Sequence, residues 1–151
     1  MAALQDASAC TAAITQARTH VEQSTKDDDP PYLYWVSPAV ITTHAGDCLL
    51  QLGQADRAAA MMDQGIAMFD APFDRDRQLY LTHLAEALAR PGKQRDLDAA
   101  GKGMEAIHLA EYLSSTRSAD RIRELTRQMK PHAKLPAVRE FLERARGFVA
   151  A

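Results

Sequence analysis

Apolar residues recur at spacings of three and four along most of the chain, in short groups that turn residues separate. This spacing places the apolar side chains on one face of an α-helix, so each group predicts an amphipathic helix. The groups predict seven helices, over about residues 3–25, 38–52, 57–70, 75–90, 97–113, 117–129 and 136–149. Alanine and leucine are frequent, whereas aromatic residues make up only 6% of the chain. This composition favours helices over strands, and we predict an all-α fold.

Several helix ends carry recognisable signals. Ser37 before Pro38 is typical of an N-cap followed by proline in the first helical position, and Gly53 is typical of a residue that ends a helix. Aspartates precede three further helical groups, and we expect each to act as an N-cap: Asp56, Asp74 and Asp96. Short turns between these ends pair the helices into hairpins.

Small residues recur in two helix-turn-helix segments, residues 41–70 and 80–112. Gly46, Gly53, Ala58 and Gly65 of the first segment correspond to Ala85, Gly92, Ala99 and Ala106 of the second. The offset is 39 residues at the first two positions and 41 at the last two. Small residues at such positions allow the helices of a hairpin to approach closely and the next hairpin to stack on them. The repeat therefore predicts a right-handed array of helical hairpins.

A chain of 151 residues is long enough to bury a core, and we predict a single domain over residues 1–151. Its predicted parts are an N-terminal helix with an aromatic linker (1–36), a first hairpin (37–72), a second hairpin (73–113) and a third hairpin (114–151). The linker contains Trp35, the only tryptophan. We expect it to pack against the first hairpin.

Charge is small overall but unevenly distributed. The formal net charge is −2, with −6 over residues 1–92 and +4 over residues 93–151. This asymmetry is too small to indicate nucleic-acid binding. It can orient an association with a charged partner.

The cellular compartment is predicted from the targeting signals that the sequence lacks. No apolar run reaches the about 18 residues of a membrane-spanning helix, and the N-terminus lacks the basic start and compact apolar stretch of a secretory signal. We expect a cytoplasmic protein with no membrane partner. Cys10 and Cys48 lie inside helical groups and form no closely spaced pair, so we expect buried free thiols.

The small-residue pattern resembles the tetratricopeptide repeat. Four longer phrases, in this order along the chain, resemble the C-terminal region of actinobacterial XRE-type helix-turn-helix transcriptional regulators: DDDPPYLYWVSPAVI, HAGDCLLQLGQADRAA, FDRDRQLYLTHLAEALARPG and KLPAVREFLERAR. The resemblance covers the chain from Cys10 onward. It implies a regulatory domain that binds a peptide, protein or small-molecule effector in a concave groove and transmits binding by domain packing or homodimerisation. The DNA-binding domain that precedes this region in the family has no counterpart here, so DNA contact is expected only through a separate domain.

One polar pattern repeats with the small residues. Thr43-His44-x-x-Asp47 returns 39 residues later as Thr82-His83-x-x-Glu86, and residues three apart share a helical face. In a tetratricopeptide-like array the threonine and the acid of each pattern, with one further polar residue on each helix, line the concave groove, and each histidine can lie close to its acid. The predicted ligand- or partner-binding residues are Thr43, His44, Asp47, Gln51, Thr82, His83, Glu86 and Arg90.

Other interpretations of the repeated pairs stay open. Two histidines and two carboxylates, His44, Asp47, His83 and Glu86, have the donor types of a divalent-metal site, and an enzyme on the same scaffold would use them. They are equally compatible with ordinary polar residues beside a neutralising acid, or with a stand-alone adaptor. Motifs for phosphate binding, nucleophilic serine or zinc proteolysis are absent from the sequence. We therefore predict a non-catalytic protein with no cofactor, no catalytic residues and no metal ligands.

The sixth predicted helix is basic. It contains Arg117, Arg121, Arg123, Arg127 and Lys130. Asp120 and Glu124 are interleaved with them, so an ion-paired, solvated face is the favoured interpretation. Contact with phosphate or with an acidic partner is the alternative.

Overall fold

The computed structural model describes residues 7–24, 30–33, 35–70, 73–90, 95–114 and 118–150. Within these ranges the chain forms seven α-helices and no strand, which confirms the predicted all-α helical array. None of these helices is long and apolar enough to cross a membrane. The helices are α1 (Ala7–Gln23), α2 (Pro38–Gln51), α3 (Ala55–Ile66), α4 (Asp74–Leu88), α5 (Asp96–Tyr112), α6 (Ala119–Met129) and α7 (Pro136–Ala150).

Some predicted helix ends fall outside the described residues. These are the start of α1 at residue 3, the stop at residues 27–29, the Pro91-Gly92 stop and most of the turn at residues 114–116. Elsewhere the helices lie where the periodicity places them, and they end a few residues earlier or later than predicted.

The chain divides into two compact units, Met1–Met68 and Phe69–Ala151. The first contains α1, α2 and α3, and the second contains α4 to α7. The boundary falls near the end of the first repeated segment, and each unit buries its own apolar residues. The prediction of one domain over the whole chain stays a prediction.

Helix α2 has the two ends that the sequence predicts. The Ser37 side-chain oxygen accepts a hydrogen bond from the backbone N–H of Val40 at 3.3 Å, and Pro38 occupies the first helical position. At the other end Gly53 has φ of 76°, a conformation that costs glycine little. Gly53 donates to Leu50 O at 3.0 Å, and the next residue donates to Leu49 O at 2.9 Å. This pair of bonds is the Schellman motif, which satisfies the last carbonyls of the helix.

Two small residues of the repeat set the distance between α2 and α3. A Cβ added at Gly46 would lie 2.5 Å from Met62 Cγ, and one added at Gly65 would lie 2.6 Å from Thr43 Cγ2. Real Cβ atoms do not tolerate contacts this short, so each helix approaches the other where a side chain is missing. In the first unit the repeat pattern therefore has the packing role that the sequence predicts.

In the second unit, α4 packs on α5, and α5 and α6 both pack on α7. Phe141 of α7 is fully buried, and a Cβ added at Gly103 of α5 would lie 2.6 Å from its ring. Gly103 is not one of the repeat's small residues. Those that the structure describes in this unit, namely Ala85, Ala99 and Ala106, are fully buried.

The three predicted aspartate caps are wrong. The N-cap residues of α3, α4 and α5 are Gln54, Phe73 and Arg95, and none of them makes a side-chain capping bond. Asp56, Asp74 and Asp96 instead lie in the first turns of these helices. A carboxylate there still stabilises the positive end of the helix dipole, so the same residue type is favoured one or two positions further on.

Three side chains expected to be covered are at least partly accessible. Cys48 is exposed and Cys10 is half-buried, and Trp35 is 46% exposed rather than packed as a plug. Helix α1, which lies against α2, contributes no buried residue of its own. It therefore covers this side of α2 only in part.

Candidate functional site

The predicted site residues on α2 separate into buried and accessible ones. Thr43 is fully buried, and its hydroxyl donates within the helix to Ala39 O at 3.0 Å and Val40 O at 2.9 Å. Its methyl group faces Gly65. Thr43 is therefore a packing residue between α2 and α3.

The other three predicted residues of α2 form a solvent-facing polar strip. His44 and Gln51 are exposed and Asp47 is half-buried. The Gln51 amide donates to Asp47 Oδ2 at 3.3 Å. A carboxylate that an amide orients at the surface can accept a further hydrogen bond from a partner.

Helix α4 contains the second copy of the repeated polar pattern, and its residues lie in a buried environment. Thr82 is fully buried and donates to Gln78 O at 3.2 Å, so it also has a packing role. His83 is buried, and its ring meets Tyr80 edge-on with the ring centroids 5.7 Å apart. Tyr80 in turn stacks on Phe69 at 5.8 Å. His83 is thus part of an aromatic group.

Glu86 is the most unusual of the predicted residues because it is a buried carboxylate. Its side chain is 8% exposed, and Arg121 Nη1 of α6 donates to its Oε2 at 3.2 Å. Burial raises the pKa of the Glu86 carboxyl, and electrostatic interactions with Arg121, His83 and Arg90 offset part of that rise. The four residues His83, Glu86, Arg90 and Arg121 are called the Glu86 cluster below.

The Glu86 cluster has a buried end and an accessible end. His83 and Glu86 are buried, whereas Arg90 is exposed and the Arg121 side chain is 43% exposed. Burying a carboxylate costs free energy, and the packing of the core does not need a charged side chain. Buried ionisable groups with shifted pKa values occur preferentially at functional sites, although structural ion pairs also shift them. The accessible arginines can bind a carboxylate or another acidic group from outside.

Sequence reasoning missed the arginine that completes this cluster. Arg121 belongs to the basic set of the sixth helix, but nothing in its local spacing connects it with a residue 35 positions earlier. It also missed the buried hydrogen bond from the Gln78 amide to the Ser118 hydroxyl, which joins α4 to the residue just before α6. Both contacts depend on how α4 and α6 pack in the second unit.

Metal binding gains no geometric support. Among the residues that the structure describes, no three His, Cys, Asp or Glu side chains are grouped so that they could hold a metal ion. The His44–Asp47 pair and the His83–Glu86 pair belong to different units, and each by itself has only two potential ligands. A structural zinc site uses four ligands, and a catalytic one uses three protein ligands and a water.

Searches of protein families, of curated proteins and of solved structures found no match to this chain. Its function is therefore inferred from its own residues and from the resemblance of its sequence phrases.

Proposed function

We propose that this chain is the regulatory and interaction domain of an XRE-type transcriptional regulator, with a tetratricopeptide-like scaffold and no catalytic role. It binds a peptide, protein or small-molecule effector and acts in the cytoplasm. It transmits binding by domain packing or dimerisation, and DNA is contacted by a separate domain. The four sequence phrases support the family, and the all-α hairpins are compatible with its scaffold.

The observation that carries the binding function is the burial of Glu86 beside a half-exposed arginine. A carboxylate in this position adds little to packing, and replacing a buried ion pair with apolar residues often stabilises a protein. The presence of the buried Glu86 carboxylate is better explained by a role of the ion pair in binding. Arg121 and Arg90 are the accessible members of the Glu86 cluster, so the effector that fits carries an acidic group.

Effector binding would act on α6 through Arg121. An acidic group that engages this arginine competes with Glu86 for the same guanidinium. Because Arg121 lowers the Glu86 pKa, its withdrawal raises that pKa and favours the protonated carboxyl. Binding is thereby coupled to the contact between α4 and α6, which gives the effector a different affinity for two arrangements of these helices.

A thermal-shift screen of acidic small molecules and peptides tests the binding function. At about a hundredfold excess over its Kd, a ligand adds about 2.7 kcal/mol to the free energy of unfolding, which raises the Tm of a domain of this size by about 5–10 °C. We expect this shift in the wild type and a much smaller one in Glu86→Gln and Arg121→Gln. The matched control is Glu105→Gln, which removes an acid from accessible ion pairs with Lys102 and Arg77.

Two results would contradict the proposal. A ligand that stabilises all four proteins equally binds elsewhere, and the Glu86 cluster is then only structural. Consumption of the ligand by the wild type, lost in Glu86→Gln, would indicate an enzyme instead.

The regulatory role is tested in cells. Deletion of the gene should change the transcription of a limited set of other genes, and wild-type protein should restore it while Glu86→Gln does not. In a gel-shift assay this chain by itself should not retard duplex DNA. Specific retardation by the chain would contradict the assignment of DNA contact to a separate domain.

A further inference from the structure

A basic cleft lies between α6 and α7, and neither Arg121 nor Glu86 lines it. Its volume is about 110 Å³. Arg123 and Arg127 of α6, with Lys130 directly after its last residue, line one side, and Arg146 of α7 lines the other. Ala145 and Val149 provide apolar surface between them.

The sequence of α6 explains why its cations share one side. Arg123, Arg127 and Lys130 follow one another at intervals of four and three residues, which places them along one helical face. The fully buried residues of this helix, Ile122, Leu125 and Met129, lie on the face that packs in the core. Only Arg146 comes from a different helix, so the cleft exists because α6 and α7 form a hairpin.

The charge of the cleft is only partly neutralised. Arg123 pairs with Asp120, and Arg127 pairs with Glu124, each three residues away on the same helix. Lys130 and Arg146 make no ion pair with any residue that the structure describes. Among the residues that the structure describes, these four cations and the two acids that pair with them leave a surplus of two positive charges at the cleft.

We propose that this cleft binds the phosphoryl group of a small phosphorylated molecule. A phosphate monoester carries a charge of about −1.5 to −2 near neutral pH, which matches the surplus. Arginine guanidinium groups match the geometry of phosphate oxygens with paired hydrogen bonds, and lysine adds a point charge.

The volume and the lining fit the phosphoryl end of a ligand. A cavity of about 10–15 Å³ holds one water, and one of about 150 Å³ holds a benzene ring. The cleft lies between these, so it accommodates a phosphoryl group, and its open side lets the rest of the molecule extend into solvent. The apolar surface of Ala145 and Val149 can contact the carbon atom that bears the phosphate. A nucleic-acid backbone would need a longer row of cations, so it is the less suitable source of the phosphate.

Calorimetric titration with inorganic phosphate, glycerol phosphate and acetate tests the site at low salt, because such contacts weaken as salt increases. We expect glycerol phosphate to bind, inorganic phosphate to bind more weakly, and acetate not to bind measurably. The double variant Lys130→Gln, Arg146→Gln should raise the Kd for glycerol phosphate at least tenfold. The matched control is Lys134→Gln, Arg139→Gln, which removes two exposed cations that do not line the cleft.

Circular dichroism should show that both double variants are folded. Glu86→Gln should bind glycerol phosphate like the wild type. Failure of the phosphate site would therefore leave the proposed effector site at the Glu86 cluster untouched, and failure of the effector site would leave the phosphate site untouched. Equal loss of binding in the two double variants would overturn the proposal, since it would show diffuse attraction to positive charge. Tighter binding of duplex DNA than of glycerol phosphate, with the same dependence on Lys130 and Arg146, would overturn it in favour of a nucleic-acid contact.

Discussion

Arg121 of α6 and Glu86 of α4 form an ion pair at 3.2 Å in which one partner is buried and the other reaches water. The two halves of this pair are therefore not equivalent. Removing the carboxylate leaves an arginine that solvent can hydrate, whereas removing the arginine leaves a charge in a buried place.

Glu86→Gln should change how stability depends on pH. The Glu86 pKa is raised above its ordinary value of 4.5, so the folded protein binds this proton more readily than the unfolded chain does. The stabilisation that comes from protonated Glu86 is complete at pH values below the unfolded-state pKa. It is lost as pH rises through the folded-state pKa. Urea unfolding at a series of pH values should show the variant gaining stability relative to the wild type as pH rises above 4.5. A parallel pH dependence in the two proteins would contradict this, and Glu105→Gln serves as the control.

Arg121→Gln should destabilise the protein most when Glu86 is ionised. Loss of one partner of a buried pair costs about 3–5 kcal/mol, but Arg121 is partly exposed and water replaces some of its contact, so we expect about 1–2 kcal/mol near neutral pH. Because Arg121 lowers the Glu86 pKa, the loss of stability on raising the pH should be steeper than in the wild type. The double variant Glu86→Gln, Arg121→Gln should recover most of the loss. A double variant less stable than Arg121→Gln would contradict this account.

Two glycines with different surroundings should respond oppositely to alanine. At Gly65 a new Cβ would meet Thr43 Cγ2 at 2.6 Å and Thr43 N at 2.9 Å, and the two hydrogen bonds of the Thr43 hydroxyl hold that side chain in place. Gly65→Ala should therefore lower the free energy of unfolding by about 1–3 kcal/mol. At Gly101 of α5 nothing lies within 4 Å, and Gly101→Ala should raise it by up to about 1 kcal/mol through helix propensity. Urea unfolding of the two variants measures both, and a stabilising Gly65→Ala would show that α2 and α3 can separate without cost.

Oxidation should join Cys10 and Cys48 within one chain. Partial burial, the neighbouring Cys10 thiol and Asp47 all raise the Cys48 pKa. Treatment with diamide removes two protons and two electrons from the thiol pair and forms one S–S bond. The reaction should speed up as pH rises above neutral because the thiolate is the nucleophile.

Mass spectrometry under non-reducing conditions should find monomeric chains lighter by two hydrogens. Cys10→Ser and Cys48→Ser should each abolish this species. Disulfide-linked dimers as the main wild-type product would contradict the contact between the two thiols.

What the sequence could predict depends on how local each feature is. The start of α2 at Ser37-Pro38 and its end at Gly53 follow from hydrogen bonds among neighbouring residues, and both were predictable. The aspartate caps were not, since a carboxylate is favoured both at the N-cap and in the first turn, and sequence alone does not separate these positions.

The same distinction applies to the candidate site. Spacing places His83 and Glu86 on one helical face, and the interaction with His83 lowers the Glu86 pKa. Arg121, which pairs with Glu86, lies on another helix, and the spacing of residues along the chain does not indicate this contact. The burial that raises the Glu86 pKa is likewise a result of tertiary packing.

The single tryptophan lies in the first of the two compact units. Tryptophan fluorescence therefore follows the unfolding of Met1–Met68, whereas far-ultraviolet circular dichroism follows the helices of both units. Coincident transitions from the two probes would establish that the chain melts as one cooperative system. Separate transitions would show that the two units unfold independently. A substitution could then be assigned to the unit whose transition it shifts.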